Sequence, residues 1–266
     1  MLEQYPFDDP PIVSTNRRFA PHFERWIEES KPEVELVIEE TVCEGEKLGT
    51  VGALAFLVDR FDIDEDLLVV GGDNIFDFSL GDFVEAFRGT PLVALYDVRD
   101  VAVVRGRYGV AVVEGDRIVN FQEKPQDPMS TLASTACYMY PRRTLALFAE
   151  FTDRSEEGKD APGYFNAWLM REKDCSFSAF SFSTPWYDIG DRTSYIEANQ
   201  HYCGCDSFRA ENSMIRRSKV SASVILEDST IEDCEIAGCV IGPRSRLSGV
   251  ALSDCIVGPG TAIRGD

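Results

Sequence analysis

Residues 215–230 (IRRSKVSASVILEDST), 231–246 (IEDCEIAGCVIGPRSR), 247–262 (LSGVALSDCIVGPGTA) and 263–266 (IRGD) are one pattern written repeatedly, the last copy being only its start. Branched apolar residues fall at Ile215, Val220, Ile225, Ile231, Ile236, Ile241, Leu247, Leu252, Val257 and Ile263, with spacings of 5, 5 and 6 that recur. An α-helix repeats every 3.6 residues and cannot carry that period. Three short strands per turn of a parallel β-helix can, each coil lying one strand spacing, about 4.8 Å, above the last. Small residues keep the same register: Ser218, Cys234 and Val250 form one set, and Ser223, Cys239 and Cys255 another. The pattern predicts one inward column of Ile231, Leu247 and Ile263 and a second of Ile236 and Leu252. It also predicts Cys239 and Cys255 stacked and buried without a disulfide, and no helix within 231–257. A β-meander with accidental regularity is the alternative.

Upstream of this tail, short apolar runs alternate with amphipathic stretches. Ile12–Ser14 and Glu33–Glu39 read as strands, and Phe19–Glu29 as a helix. A glycine turn opens a helix over Gly49–Phe61. Leu67–Val70 is four apolar residues in a row, the pattern of a strand buried on both faces. Helix Leu80–Phe87 and strand Leu92–Tyr96 follow. Tyr108–Val113 and Arg117–Phe121 flank Glu114-Gly115-Asp116, a hairpin signal. Strand Thr135–Tyr140, helix Tyr164–Glu172, strand Ser176–Phe182 and helix Arg192–Asn199 complete the run. Strands alternating with helices argue for a three-layer α/β domain with a mostly parallel sheet over residues 1–204, followed by the repeat domain over 210–266.

Composition narrows the possible partners. The 266 residues carry 46 acidic and 26 basic side chains, a net charge of −20. Such a surface repels nucleic-acid phosphate and anionic lipid, so neither nucleic acid nor membrane is expected as a partner. Only six of the basic residues are lysine, and an acidic, lysine-poor surface suits a cytoplasm of high salt, although ordinary acidic cytosolic proteins share it. The N-terminal MLEQYPFDDPP is neither basic nor apolar, which argues against a signal peptide and for a cytoplasmic location. The eight cysteines are then expected as reduced thiols. Cys203/Cys205 and Cys234/Cys239 are closely spaced, but neither pair is C-x-x-C, and only His22 and His201 exist to complete a zinc site.

Four constellations could carry chemistry. In Leu48-Gly49-Thr50-Val51-Gly52-Ala53, two glycines at a helix start let backbone amides approach a ligand, although glycine turns open many helices. In Val70-Gly71-Gly72-Asp73-Asn74, a strand ends in two glycines and a carboxylate. Ligands of open α/β sheets bind beyond the carboxyl ends of strands, where Asp73 could hold a divalent cation or merely cap the next turn. In Phe121-Gln122-Glu123-Lys124-Pro125, Glu123 could bind a hydroxyl and Lys124 a phosphate, or the two could be a solvated pair. In Trp186-Tyr187-Asp188-Ile189-Gly190, Asp188 is a further acidic candidate or a helix N-cap, a role that Asp191 fills equally well.

LGTVGAL, GGDN, QEKP and WYDIG, in that order, together resemble the sugar nucleotidyltransferase family, whose type is glucose-1-phosphate thymidylyltransferase. Val13-Ser14-Thr15-Asn16 also looks like the family's second-strand end, and a left-handed parallel β-helix of hexapeptide type is a common family appendage. The resemblance implies a Rossmann-like nucleotide-diphospho-sugar transferase fold and a reaction of nucleoside triphosphate (dTTP or UTP) with sugar 1-phosphate, giving a nucleotide sugar and pyrophosphate. Carried over by motif, Asp73 and Asp188 would hold Mg²⁺ as catalytic ligands. Glu123 would bind sugar hydroxyls and Lys124 the sugar phosphate. Gly109 would line the sugar pocket, Gly49 with Thr50 would face the base, and Asn74 and Trp186 would flank the substrate. Assembly into homo-oligomers is compatible with the β-helix.

Two departures from the family pattern matter. The family opens with a strand and a Gly-rich, Arg-bearing loop that cradles the triphosphate, whereas here the first glycine is Gly45 and the first lysine Lys31. Against the family, the first βα unit is expected to be missing, which would leave the chain as given with poor turnover. Thr135-Ala136-Cys137-Tyr138 stands where the family shows a glycine, so the sugar is left open. The competing reading is a non-catalytic relative that binds a sugar phosphate or a partner subunit. A β-helix acyltransferase is disfavoured, because only about three coils exist and no histidine follows His201.

Overall fold

The structure is a computed structural model, and it describes residues 9–41, 48–154 and 158–265. The first eight residues, part of the stretch read above for an export signal, lie outside them. In chain order the elements are β1 (Ile12–Asn16), α1 (Ala20–Ser30), β2 (Glu35–Glu39), α2 (Gly49–Arg60), β3 (Leu67–Val70), β4 (Asn74–Phe76), α3 (Leu80–Glu85), β5 (Leu92–Asp97) and α4 (Val101–Val104). There follow β6 (Val110–Glu114), β7 (Arg117–Gln122), β8 (Leu132–Tyr140), α5 (Ala146–Arg154), α6 (Pro162–Glu172), β9 (Phe177–Phe182), β10 (Trp186–Asp188) and α7 (Arg192–Cys203). Contacts divide the chain into one unit of Met1–Gly71 with Asp77–Thr184 and a second of Gly72–Phe76 with Pro185–Asp266. No helix among the described residues is long and apolar enough to cross a membrane.

The first unit is built on a six-stranded sheet of order β3-β8-β5-β9-β7-β6. Within it only β5 and β9 run parallel, and the other pairings are antiparallel. The expectation of a mostly parallel sheet is therefore corrected. β8 runs against both of its neighbours, and β6 and β7 form the hairpin that the Glu114-Gly115-Asp116 turn signals. A second parallel pair, β1 with β2, stands as a separate two-stranded sheet. Leu67–Val70 also departs from expectation: all four residues of β3 are only half-buried, because β3 forms an edge of the sheet. A continuous apolar run does not distinguish an edge strand from a central one.

Side chains leave the sheet on both faces, as strand alternation requires. On β9, Phe177 and Ala179 join the main core, where Val51 and Leu54 of α2, Phe148 and Phe151 of α5, and Phe165, Trp168 and Leu169 of α6 pack on Tyr138 and Tyr140. Phe180 and Phe182 point the other way and pack on Phe78, at ring-centroid distances of 5.4 and 4.5 Å, beside Phe83 of α3. Tyr140 is fully buried, and its hydroxyl donates to Asn166 Oδ1 at 2.8 Å. Burial drives both tyrosine hydroxyls far above their ordinary range.

In the second unit the 16-residue period is realised as three parallel sheets, an arrangement consistent with a β-helix. Ile215, Ile231, Leu247 and Ile263 are register partners along one sheet. Val220, Ile236 and Leu252 align along the second, and Ile225, Ile241 and Val257 along the third. Each of the ten apolar positions read from the sequence thus lies in a column. The sulfurs of Cys239 and Cys255 are 3.6 Å apart and unbonded. Cys239 is buried, but Cys255 is half-buried rather than fully enclosed, since it belongs to the last described coil. The corners are left-handed turns, taken on one coil by Asp233, Gly238 and Arg244. Hydroxyls add a ladder that the apolar pattern does not reveal: Ser229 Oγ donates to the Gly242 carbonyl and accepts from the Ser245 amide of the next coil.

One cysteine expectation fails. Cys203 and Cys205 are joined as a disulfide, with Cα atoms 5.4 Å apart. Gly204 ends α7 in the left-handed conformation, with φ 62°, and folds the chain back so that its two neighbours meet. The other described cysteines are free thiols.

Two stability tests follow. Ile231→Ala removes a wholly buried column residue and should lower unfolding stability by about 2–5 kcal/mol. Ile256→Ala, 66% exposed, should change it by no more than about 0.5 kcal/mol in the same denaturant titration. Ala136 lies in the left-handed region, with φ 52°, in the middle of β8. Ala136→Gly should therefore stabilise the chain by about 0.5–1 kcal/mol, read as a raised denaturation midpoint at constant slope.

Candidate functional site

β4 and β10 pair antiparallel, with Trp186 opposite Phe76, Tyr187 opposite Ile75 and Asp188 opposite Asn74. The ladder extends one step further, where the Ile189 amide donates to the Asp73 carbonyl at 2.8 Å. Asp73 and Asp188, 115 positions apart in sequence, are thereby brought to one end of a two-stranded ribbon, with Asp188 opposite Asn74 and Asp73 one residue before Asn74. Trp186 Nε1–H donates to Asn74 Oδ1 at 2.8 Å, and Asn74 Nδ2–H donates to Asp73 Oδ1 at 2.7 Å. Asn74 is buried, so this relay fixes the orientation of the exposed Asp73 carboxylate from below. The cap of α7 is Asp191, whose carboxylate accepts from the Ser194 amide at 2.8 Å, and not Asp188.

Two hard carboxylates suit Mg²⁺, which typically takes one or two from protein and completes its shell with water and substrate phosphate. Among the described residues no group of three or more His, Cys, Asp or Glu side chains could hold a metal by itself.

The first unit holds a separate cluster at the end of β7. Glu123 is half-buried, and the desolvation raises its carboxyl pKa above the usual range, against the lowering effect of the adjacent Lys124 charge. Two glycines line that carboxylate. A Cβ placed on Gly109 would lie 2.9 Å from Glu123 Oε2, and one on Gly163 only 1.8 Å from it. Lys124 is exposed and adopts a left-handed backbone, φ 43°, with its amide donating to the Tyr108 carbonyl. A lysine held there carries local backbone strain, shared with eleven other non-glycine positions among the described residues. Above β8, Tyr138 and Ser134 hydroxyls pair at 3.0 Å, and the Ser134 amide donates to the Gly109 carbonyl.

At the start of α2, Gly49 has φ 71°, and a Cβ there would meet the Lys159 carbonyl carbon at 2.5 Å. The Val51 amide donates to the Lys159 carbonyl and the Thr50 hydroxyl to that of Asp160. These groups hold the segment preceding α6 against α2, a packing role that the motif alone does not reveal. Gly163, Asn166 and the Tyr138–Ser134 pair were absent from the sequence reading. A glycine whose reason is a side chain forty residues away leaves no local signal.

The nucleotidyl transferase family model matches residues 2–204. The chain belongs to the nucleotidyl transferase family. A relative from Sulfolobus acidocaldarius, provisionally named a mannose-1-phosphate guanyltransferase, is 25% identical over 159 residues, which is 60% of this chain and 42% of the relative. The chain thus spans about two-fifths of that relative's length. The crystal structure of a protein from Bacillus anthracis, provisionally named a glucose-1-phosphate thymidylyltransferase and solved in complex with sucrose, superposes with a TM-score of 0.58. It covers 71% of this chain and 74% of that one at 22% identity, a likeness of fold.

The raised pKa of Glu123 has a consequence of definite sign. The folded chain holds this proton at pH values where the unfolded chain has lost it, so stability falls as pH rises from about 4.3 through the folded pKa. Glu123→Gln removes that contribution. Its denaturant stability relative to wild type should therefore improve across that window and level off above it.

Proposed function

We propose that this nucleotidyl transferase makes a nucleotide sugar from a nucleoside triphosphate, dTTP or UTP, and a sugar 1-phosphate. The observation that carries the reading is the β4–β10 ladder, which brings Asp73 and Asp188 to one end of a two-stranded ribbon and orients Asp73 through Asn74 and Trp186. A sugar-phosphate oxygen would attack the α-phosphorus, forming one P–O bond while the bond to the β-phosphate oxygen breaks and pyrophosphate leaves. Little covalent chemistry is asked of the protein, so catalysis is positioning and charge stabilisation.

Asp73 and Asp188 would hold Mg²⁺, which when bound neutralises charge on the phosphates. Lys124 supplies a cation for the sugar phosphate, and its fixed backbone limits where that charge can go. Glu123 supplies acceptor oxygens for ring hydroxyls. Gly109 allows the ring to approach. The start of α2 with Gly49 and Thr50 serves the nucleotide side. The C-terminal coil is read as a left-handed β-helix of hexapeptide type.

The test is pyrophosphate release from the purified chain with a panel of triphosphates and sugar 1-phosphates. Release should require Mg²⁺, and Asp188→Asn should lower kcat about 10²–10³-fold. Lys124→Ala should weaken sugar 1-phosphate binding by about one to two orders of magnitude, as expected for a lost charged hydrogen bond. Sugar 1-phosphate binding without pyrophosphate release under any combination would favour the non-catalytic binding reading instead.

A further inference from the structure

We propose that Gly163, on the first turn of α6, is a positioning residue that sets the depth of the Glu123 carboxylate and through it the preference for a hydroxyl-bearing sugar ring over bare phosphate. The inference rests on the functional reading above for its ligand, but its geometry is independent of it. A Cβ at Gly163 would lie 1.8 Å from Glu123 Oε2, 2.8 Å from Glu123 Cδ and 2.8 Å from Phe121 Cε1. No side chain can share that space. A Cβ at Gly109 would also stand 2.9 Å from the same oxygen and 3.1 Å from the same Phe121 ring. Two glycines far apart in sequence therefore both leave room for Glu123 Oε2, beside the buried Phe121 ring.

Neither glycine is required by its own backbone, since neither takes a left-handed conformation. Gly163 lies within a helix, where alanine is ordinarily the better residue. Its retention in a buried helical turn is explained by the neighbouring carboxylate. That carboxylate is desolvated, and no hydrogen bond from a described residue contributes to its shift. Its acceptors are held in place and available for donors from outside the protein, and ring hydroxyls are donors. The clashing atom is the end of a flexible side chain, so alanine at 163 should displace Glu123 rather than unfold the helix.

The experiment measures binding of α-D-glucose 1-phosphate and of inorganic phosphate by calorimetry to wild type, Gly163→Ala, Glu123→Ala and the double variant. It adds the Glu123 titration followed by ¹³C NMR, with Glu123→Gln giving the assignment. Gly163→Ala should weaken glucose 1-phosphate at least tenfold and leave phosphate within twofold. It should shift the Glu123 titration toward the ordinary glutamate range, and it should have no further effect in the Glu123→Ala background. Wild-type binding and titration in Gly163→Ala would overturn the proposal, as would an equal loss with and without Glu123. If wild type binds neither probe, the functional reading fails while the titration still decides the role of Gly163. If Gly163→Ala does not fold, a folded double variant supports the clash, and an unfolded one overturns it.

Discussion

Nine consecutive residues, Leu132–Tyr140, hold three other strands at once: β3 and β5 on either side, and β6 through Ala133. A regular strand has only two edges, so a third partner requires an interruption. The register against β5 slips between Val93 and Leu95, and Ala136 turns left-handed at the same level. There the Ala136 carbonyl accepts from the Gly71 amide at 2.8 Å, which pins the end of β3 just before the chain enters Gly72 and Asp73. Thr135, fully buried, donates its hydroxyl to the Ala94 carbonyl and takes up a backbone acceptor released by the bulge. The irregularity thus fixes where β3 stops and where the GGDN segment begins.

The parts legible in sequence are those whose cause is periodic. The coil was readable residue by residue because each inward position has its reason in the residue 16 places away, and the period survives even where Val replaces Ile. Strand direction was not readable. Leu67–Val70 reads the same whether its neighbours run with it or against it, and whether one side or both are covered. Asp73 and Asp188 were legible as motifs, but their meeting at one end of a ribbon comes from a three-residue ladder, too short to leave any hydrophobic pattern. Gly163 was silent for a different reason, since its neighbour in space is a glutamate from another element.

Charge is handled unevenly along this acidic chain. On the coil, Arg217 meets Asp233 at 2.7 Å and Glu232 at 2.6 Å, which raises its own pKa and lowers that of Asp233. Arg217 and Asp233 are solvent-exposed and Glu232 is half-buried, and such surface pairs add little to stability in salt. Arg192 is more enclosed. From the first turn of α7 it donates to the Gly238 carbonyl and to Asp254, 3.0 Å away, tying that helix to a coil corner. Lys173 is bound by both oxygens of Glu150 and packs over Trp168. Lys124, by contrast, lies exposed beside a carboxylate that is half-buried.

That contrast separates the structural charges from the functional ones. An exposed pair such as Arg142–Asp64 exists because each member can find the other at little desolvation cost. Glu123 is in the opposite position: it loses hydration on folding, and no hydrogen bond from a described residue offsets the loss. A fold under selection for stability alone would replace it with an apolar residue, as its neighbour Phe121 already fills the same wall. On the function proposed above, a donor arriving from solution would complete the hydrogen bonding of this desolvated acceptor. The stability lost at this position would then be recovered as binding free energy, and selectivity would follow, because a ligand without hydroxyls would leave the carboxylate unpaired.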